Sequence, residues 1–170
     1  MKILIIGTID ADFENREETL CEHLSSEYGN QGYEVDICYL PFKRDMLNAA
    51  EQILAYNLVD TAHADALITV GYPACFVPHR NEKKVCYLFD CYPEIHENFS
   101  YKLREHRVEE RIKIAERITI AERKTFKSIR HIFAATEELS QRLYIHYGIT
   151  VKFLPLNDVY LVERIERALL

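Results

Sequence analysis

The sequence predicts an α/β fold with a single Rossmann-like, doubly wound parallel sheet of about six strands and helices on both faces. Two observations lead to this fold class. Short aliphatic runs of strand length alternate with amphipathic segments of helix length along the whole chain of 170 residues. Several of these runs are apolar at consecutive positions, which is typical of parallel strands buried on both faces.

The first third of the chain contains two predicted strands and two predicted helices. Residues 2–6 form a continuous apolar run and predict the first strand. Residues 14–28 have leucines at helical spacing and predict a helix that ends at Gly29. Residues 33–40 alternate in hydrophobicity and predict the second strand, and residues 49–62 predict the second helix.

The middle of the chain contains two more strands and a long helix. Residues 66–70 read ALITV and predict a fully buried third strand, which we expect to end at the Gly-Tyr-Pro turn of residues 71–73. Residues 84–89 predict the fourth strand. Residues 104–128 predict a long helix because their aliphatic side chains recur at helical spacing.

The last part of the chain continues the alternation. Residues 130–135 and 150–154 predict the fifth and sixth strands. Between them, residues 137–147 predict a helix that ends at Gly148. A C-terminal amphipathic helix is predicted within residues 158–170.

Length and composition predict one soluble globular domain over residues 1–170. Hydrophobic residues make up 48% of the chain and charged residues 28%, as in an ordinary folded domain. The formal charge of −6 and the pI near 5.7 argue against a nucleic-acid partner. No apolar stretch is long enough for a signal-peptide core or a membrane span, so we expect a cytoplasmic protein.

The cysteines predict neither disulfides nor a metal site. The five cysteines are odd in number and lack short paired spacing. Four of them lie within or beside apolar runs. We therefore expect reduced thiols in the core and no metal.

Basic residues are concentrated in one helical stretch. Residues 100–130 contain 10 basic and 5 acidic residues, whereas residues 1–99 contain 7 basic and 17 acidic ones. One interpretation is a solvated helix face with internal ion pairs, such as Glu109 with Lys113. The other is that residues 102–127 contact a membrane or a lipid-linked acceptor, which would place the protein at the inner face of the membrane. The interleaved glutamates favour the first interpretation.

Common phosphate-binding and nucleophilic motifs are absent from the sequence. The loop after the first strand has one glycine, Gly7, so the chain lacks both G-x-G-x-x-G and the P-loop. Asp10 and Asp12 invite comparison with a phospho-acceptor receiver domain, but the third strand ends without the further aspartate that such a domain requires. We interpret both as helix-capping acids. The chain also lacks the G-x-S-x-G motif of serine hydrolases.

The fold class indicates where functional residues should lie. Doubly wound parallel sheets bind ligands beyond the carboxyl ends of their strands, where the strand order reverses. The loops at that edge of the predicted sheet are residues 7–13, 71–79, 90–99 and 136–138.

Two segments resemble a known enzyme family. Residues 65–90 contain a buried strand that ends in Gly-Tyr-Pro, a short apolar turn that reaches Pro78-His79, and a strand that leads to Asp90. Residues 118–156 contain IFAAT, then RLYIHYG and finally VKFLPL. These segments are similar to patterns in the N-terminal domain of retaining glycosyltransferases of family 4, which have the GT-B fold.

The chain departs from the family pattern in three ways. Its first loop is not glycine-rich, and Asp90 stands where many members have a histidine near the reacting sugar. After Pro155 the sequence lacks the C-terminal domain whose paired glutamates hold the nucleotide sugar. The resemblance therefore implies the acceptor-binding half of a GT-B enzyme, active only when a separate donor-binding chain complements it. A further alternative is that these residues are one domain of a longer protein.

The resemblance also implies a reaction and a set of site residues. The reaction would be the transfer of a sugar from a nucleotide sugar to a glycan or lipid-linked acceptor, as in polysaccharide biosynthesis. The nucleotide sugar would be a co-substrate bound mainly by the partner, with no further cofactor. Asp90 would be the catalytic residue and would orient an acceptor hydroxyl or the reacting sugar. The residues implied to bind substrate are Gly7, Thr8, Gly71, Tyr72, Pro73 and Thr136.

An alternative hypothesis is a non-catalytic interaction or dimerisation module derived from such a half. The apolar side chains of the last helix could pack on the chain's own sheet or on a partner; they are Leu161, Ile165, Leu169 and Leu170. The predicted partners are thus a donor-binding glycosyltransferase chain or a second copy in a homodimer.

Overall fold

The computed structural model describes residues 1–9, 16–42, 53, 55–79, 83–91 and 108–170, without the side chains of 108–112, 114 and 115. Its strands are β1 (Lys2–Ile9), β2 (Glu34–Pro41), β3 (Ala66–Val70), β4 (Lys84–Leu88), β5 (His131–Ala134) and β6 (Lys152–Phe153). Its helices are α1 (Arg16–Asn30), α2 (Val108–Ser128), α3 (Glu137–Tyr147) and α4 (Leu161–Leu169), with a 3₁₀ helix at Ala74–Phe76.

The strands form a single six-stranded sheet in the order β2-β1-β3-β4-β5-β6. Every neighbouring pair in this sheet is parallel. The strand order reverses at β1, where Ile5 pairs with Ile37 of β2 on one side and with Ile68 of β3 on the other. The predicted α/β fold with a Rossmann-like parallel sheet is therefore confirmed.

The apolar core lies on both faces of the sheet. Ile3, Ile5 and Ile68 point to the face covered by α1 and α4. Leu4 and Ile6 point to the opposite face, which the 3₁₀ helix, α2 and α3 help to cover. Since successive side chains of a strand point to opposite faces, this arrangement explains the continuous apolar run that predicted β1.

Helix α4 is fixed to its face of the sheet by apolar and polar contacts. Its buried side chains are Leu161, Ile165 and Leu169. The Tyr28 hydroxyl donates a hydrogen bond to the carbonyl oxygen of Val162 at 3.1 Å, and the Tyr33 hydroxyl donates to Glu166 Oε1 at 2.7 Å. The apolar side of the last helix thus packs on the chain's own sheet, whereas Leu170 remains 73% exposed.

The ends of α1 and β1 differ from the prediction. β1 continues past Gly7 to Ile9 because these residues stay paired with β2. α1 does not end at Gly29. The Gly32 amide donates a hydrogen bond to the Gly29 carbonyl oxygen, and the Tyr33 amide donates one to the Tyr28 carbonyl oxygen. These two bonds form a Schellman motif, in which Gly32 supplies the left-handed conformation at φ +87°.

The second half of the chain agrees more closely with the prediction. α3 has the predicted bounds, and Gly148 ends it at φ +66°. β6 is confined to two residues instead of five, and α4 begins at Leu161. The predicted helix over residues 49–62 lies partly outside the described residues, and its predicted end is wrong: Tyr56 is helical, whereas residues 57–62 are not. Residues 104–107 of the long helix also lie outside the described residues.

All five cysteines are free, as predicted, and four of them are buried, Cys38 being half-buried. The described residues contain no group of three or more His, Cys, Asp or Glu side chains arranged to hold a metal ion. Among the helices of the described ranges, none combines the length and the apolar character needed to cross a bilayer.

Candidate functional site

The carboxyl ends of β1 and β3 meet at the point where the strand order reverses. Thr8 lies near the end of β1 and is buried, with 6% of its surface exposed. Gly71 directly follows β3, and its amide donates a hydrogen bond to the Tyr87 carbonyl at 2.8 Å. Helix α1 begins nearby at Arg16, so its positive N-terminal end faces this edge of the sheet.

Glu17 places a buried carboxylate over the end of β3. Its side chain is only 8% exposed. A Cβ atom at Gly71 would lie 2.6 Å from Glu17 Cγ and 2.9 Å from Thr8 Oγ1. Gly71 also has φ +83°, which side chains rarely adopt. The site therefore requires glycine at this position for two separate reasons.

Arg16 connects Glu17 to Asp90. Arg16 Nη2 lies 3.1 Å from Asp90 Oδ2, and Arg16 Nε lies 3.6 Å from Glu17 Oε1. The guanidinium also lies over the Phe89 ring, 4.7 Å from its centroid. The Asp90 side chain is 11% exposed and that of Arg16 is 42% exposed. We call Thr8, Arg16, Glu17, Gly71 and Asp90 the carboxylate cluster.

The acidic character of this region also affects a neighbouring thiol. Cys21 lies one helical turn after Glu17 and is fully buried. Burial and, secondarily, the charges of Glu17, Glu18 and Glu22 raise the pKa of the Cys21 thiol to about 12. The thiol is therefore protonated at neutral pH and is not an activated nucleophile.

The structure brings only some of the predicted site residues together. Thr8, Gly71 and Asp90 belong to the carboxylate cluster. Gly7 instead allows close packing of β1, because a Cβ there would lie 2.7 Å from Cys21 Sγ. Thr136 is exposed beyond β5, and its side chain accepts a hydrogen bond from the Leu139 amide at 3.1 Å.

Tyr72 and Pro73 are buried beneath this edge of the sheet. Tyr72 is 2% exposed. Its ring makes edge-on contacts with Phe42 and Phe76, at centroid distances of 6.0 and 5.6 Å. A cis peptide bond joins Tyr72 to Pro73. Asp10 and Asp12 lie outside the described residues.

Arg16 and Glu17 are not among the site residues that the sequence predicts. Both occupy the first turn of α1, where an acidic residue is common but a basic one opposes the helix dipole. An arginine at that position was the available signal, because it implies a nearby carboxylate that compensates for its unfavourable placement.

The carboxylate cluster has the chemistry of a site for hydroxyl donors. Ionised carboxylates accept hydrogen bonds and donate none, so a ligand recognised by Glu17 and Asp90 must supply hydrogen-bond donors. Two carboxylates with one guanidinium give a negative balance, which disfavours a bound phosphate and favours neutral donors such as sugar hydroxyls.

Comparison with known proteins assigns no family to the chain. No family model matches the sequence, and a search of curated proteins finds no significant match.

Proposed function

We propose that this chain is the acceptor-binding half of a GT-B-type glycosyltransferase, whose donor-binding half is a second domain or a partner chain. The position of Asp90 gives the strongest support: it is a nearly buried carboxylate after β4, held by Arg16 of α1 beside the point where the strand order reverses. The Rossmann-like sheet is also of the kind that such an enzyme uses for each of its two domains.

The cluster suits an acceptor better than a donor. Asp90 would accept a hydrogen bond from an acceptor hydroxyl, and its contact with Arg16 would fix the direction of the carboxylate. A nucleotide sugar carries a diphosphate, which the charges of Glu17 and Asp90 would repel. A second domain would therefore hold the donor, exclude water and stabilise the leaving group.

We further propose that α2 helps to bring the protein to a lipid-linked acceptor. Exposed basic side chains lie along this helix at Lys113, Arg117, Lys124 and Lys127, whereas of its two glutamates with described side chains Glu116 is exposed and Glu122 is buried. Anionic lipid attracts such clusters by about 1 kcal/mol for each basic residue near the membrane surface.

The test replaces Asp90 with Asn and screens the chain against an array of glycans and polyprenyl-diphosphate sugars. We expect the native chain to bind one class of acceptor and D90N to bind it at least about tenfold more weakly, because the amide presents only one acceptor oxygen. With the donor-binding half present, D90N should abolish transfer. Glu138→Gln is the control, since Glu138 is an exposed carboxylate of α3 paired with Arg142.

An interaction module remains the second candidate. Exposed apolar side chains surround the loop between β6 and α4, at Phe153, Leu156, Val159 and Tyr160. These would suit a second copy of the chain. Equal acceptor binding by D90N and the native chain in the array would reject the acceptor-binding proposal. If light scattering also gives the mass of a dimer, the interaction module is favoured.

A further inference from the structure

A separate cavity of about 730 Å³ lies at the opposite, amino-terminal edge of the sheet. One wall is apolar and consists of Phe76, Val77 and Pro78, which follow β3. The facing wall is the C-terminal turn of α2, with Lys124 on it. The volume is in the range of ordinary small-molecule sites.

The described lining of the cavity is positively charged although the chain as a whole carries −6. Lys84, Lys124 and Arg130 line it, and no described lining residue is acidic. Within the described ranges, none of these three cations lies within 4.0 Å of a carboxylate oxygen. All three cations would attract a bound anion.

Lys84 is held in a fixed position at the cavity. Its ammonium donates hydrogen bonds to the carbonyl oxygens of Cys75 at 2.8 Å and Val77 at 2.7 Å. An ammonium has three donors, and the third has no acceptor among the described residues. Burial lowers the pKa of Lys84, so a nearby anion would also compensate for its lost hydration.

His79 shapes the cavity without adding charge at neutral pH. Thr61 Oγ1 donates to the Pro78 carbonyl at 3.0 Å and lies 3.3 Å from His79 Nδ1. Burial lowers the pKa of His79, and the charge of Lys84 lowers it further. The positive charge of the cavity thus comes from the two lysines and the arginine.

We propose that this cavity binds a small phosphomonoester. The phosphate would contact Lys84, Lys124 and Arg130, and an apolar or aromatic organic group would lie on the wall formed by Phe76 and Pro78. A phosphate dianion carries about twice the charge of a carboxylate and has three terminal oxygens instead of two, so it matches three cations better than one carboxylate does. The cavity and the carboxylate cluster lie at opposite edges of the sheet, so this proposal is independent of the proposed acceptor site, although Lys124 also belongs to the basic face of α2.

The experiment titrates the full chain with phenyl phosphate by calorimetry and compares benzoate, phenol and inorganic phosphate. We expect saturable binding of phenyl phosphate, weaker binding of inorganic phosphate and benzoate, and no binding of phenol. Lys124→Glu and Arg130→Glu should each weaken phenyl phosphate binding about tenfold, because each replaces an attractive contact with a repulsive one.

Lys127→Glu is the matched control. It makes the same charge change on the same helix, and Lys127 is exposed and does not line the cavity. Lys124 and Arg130 are also exposed, so their variants should fold, which circular dichroism checks. No saturable binding of phenyl phosphate below about 10 mM, equal weakening by all three variants, or equal binding of benzoate and phenyl phosphate would each overturn the proposal.

Discussion

Gly71 allows the carboxylate cluster to form at the end of β3. The position combines a positive φ of +83° with almost no space for a side chain. Gly32 has nearly the same backbone angle, φ +87°, but nothing lies within 4 Å of the Cβ that could be added there. Gly32 is therefore required only for its backbone conformation, whereas Gly71 is required both for its conformation and for its lack of a side chain.

We expect Gly71→Ala to destabilise the protein more than Gly32→Ala. Both substitutions force a side chain into the left-handed region, at about 1 kcal/mol. Only G71A also places a methyl group against Glu17 and Thr8, which should add about 1–3 kcal/mol. Urea unfolding of the two variants measures the difference; equal losses would show that Glu17 moves away without cost.

The sequence reveals part of the cluster and not the rest. Asp90 could be selected because it follows a predicted strand, and that position is visible without coordinates. Glu17 could not, because its burial depends on the glycine that follows another strand 54 positions away. The cavity cations were missed for the same reason: Lys84, Lys124 and Arg130 come from different elements that only the folded chain brings together.

At the scale of elements, α3 has a well-defined signal at each end. Thr136 accepts a hydrogen bond from the Leu139 amide, and Gly148 adopts the left-handed conformation that ends the helix. Both residue types are typical of these positions. This local chemistry is why the sequence predicted α3 at its observed bounds.

Thr136→Ala should destabilise the protein by about 1 kcal/mol, since it leaves an amide of the first turn without its partner. Gln141→Ala is the control because Gln141 is exposed on the same helix, and it should change stability by no more than about 0.5 kcal/mol. Thermal unfolding of the two variants provides the comparison. If T136A unfolds together with Q141A, the observed cap does not stabilise α3.

α1 shows why the end of a helix is harder to predict than its existence. Two glycines, Gly29 and Gly32, occur near its end, and each could terminate it. The helix ends where a residue adopts a positive φ. Gly32 does so, and the hydrogen bonds from the Gly32 and Tyr33 amides close the helix there. Residue type alone does not contain that information.

At the scale of the whole molecule, the helices on both faces of the sheet bury several tyrosine hydroxyls and a cysteine thiol. Burial raises the pKa values of the tyrosines Tyr28, Tyr56 and Tyr87, and it raises those of Cys21 and Tyr39 to about 12. In the unfolded chain these groups titrate near 9.0 for cysteine and 10.0 for tyrosine. At a pH between the pKa values of the unfolded chain and the raised pKa values of the folded chain, the folded chain retains protons that the unfolded chain loses.

The contribution of these groups to the free energy of unfolding should therefore be fully present below about pH 9 and should decrease as the pH rises further. Urea midpoints at pH 7.5 and 10.5 measure the effect. Tyr56→Phe should reduce the fall, because Tyr56 is buried and its hydroxyl donates to the Pro41 carbonyl. Tyr144→Phe, at a tyrosine that is 63% exposed, is the control; equal midpoints at the two pH values would contradict the prediction.

The attachment of α4 has a consequence for how the protein is made. This helix covers strands that the ribosome produces much earlier, and the tyrosine hydroxyls that hold it belong to residues 28 and 33. A nascent chain that has emerged only as far as β6 would leave that apolar face open to solvent and to other chains. We expect such intermediates to recruit chaperones that bind hydrophobic surface, and the requirement for them to end once residues 161–169 have cleared the exit tunnel.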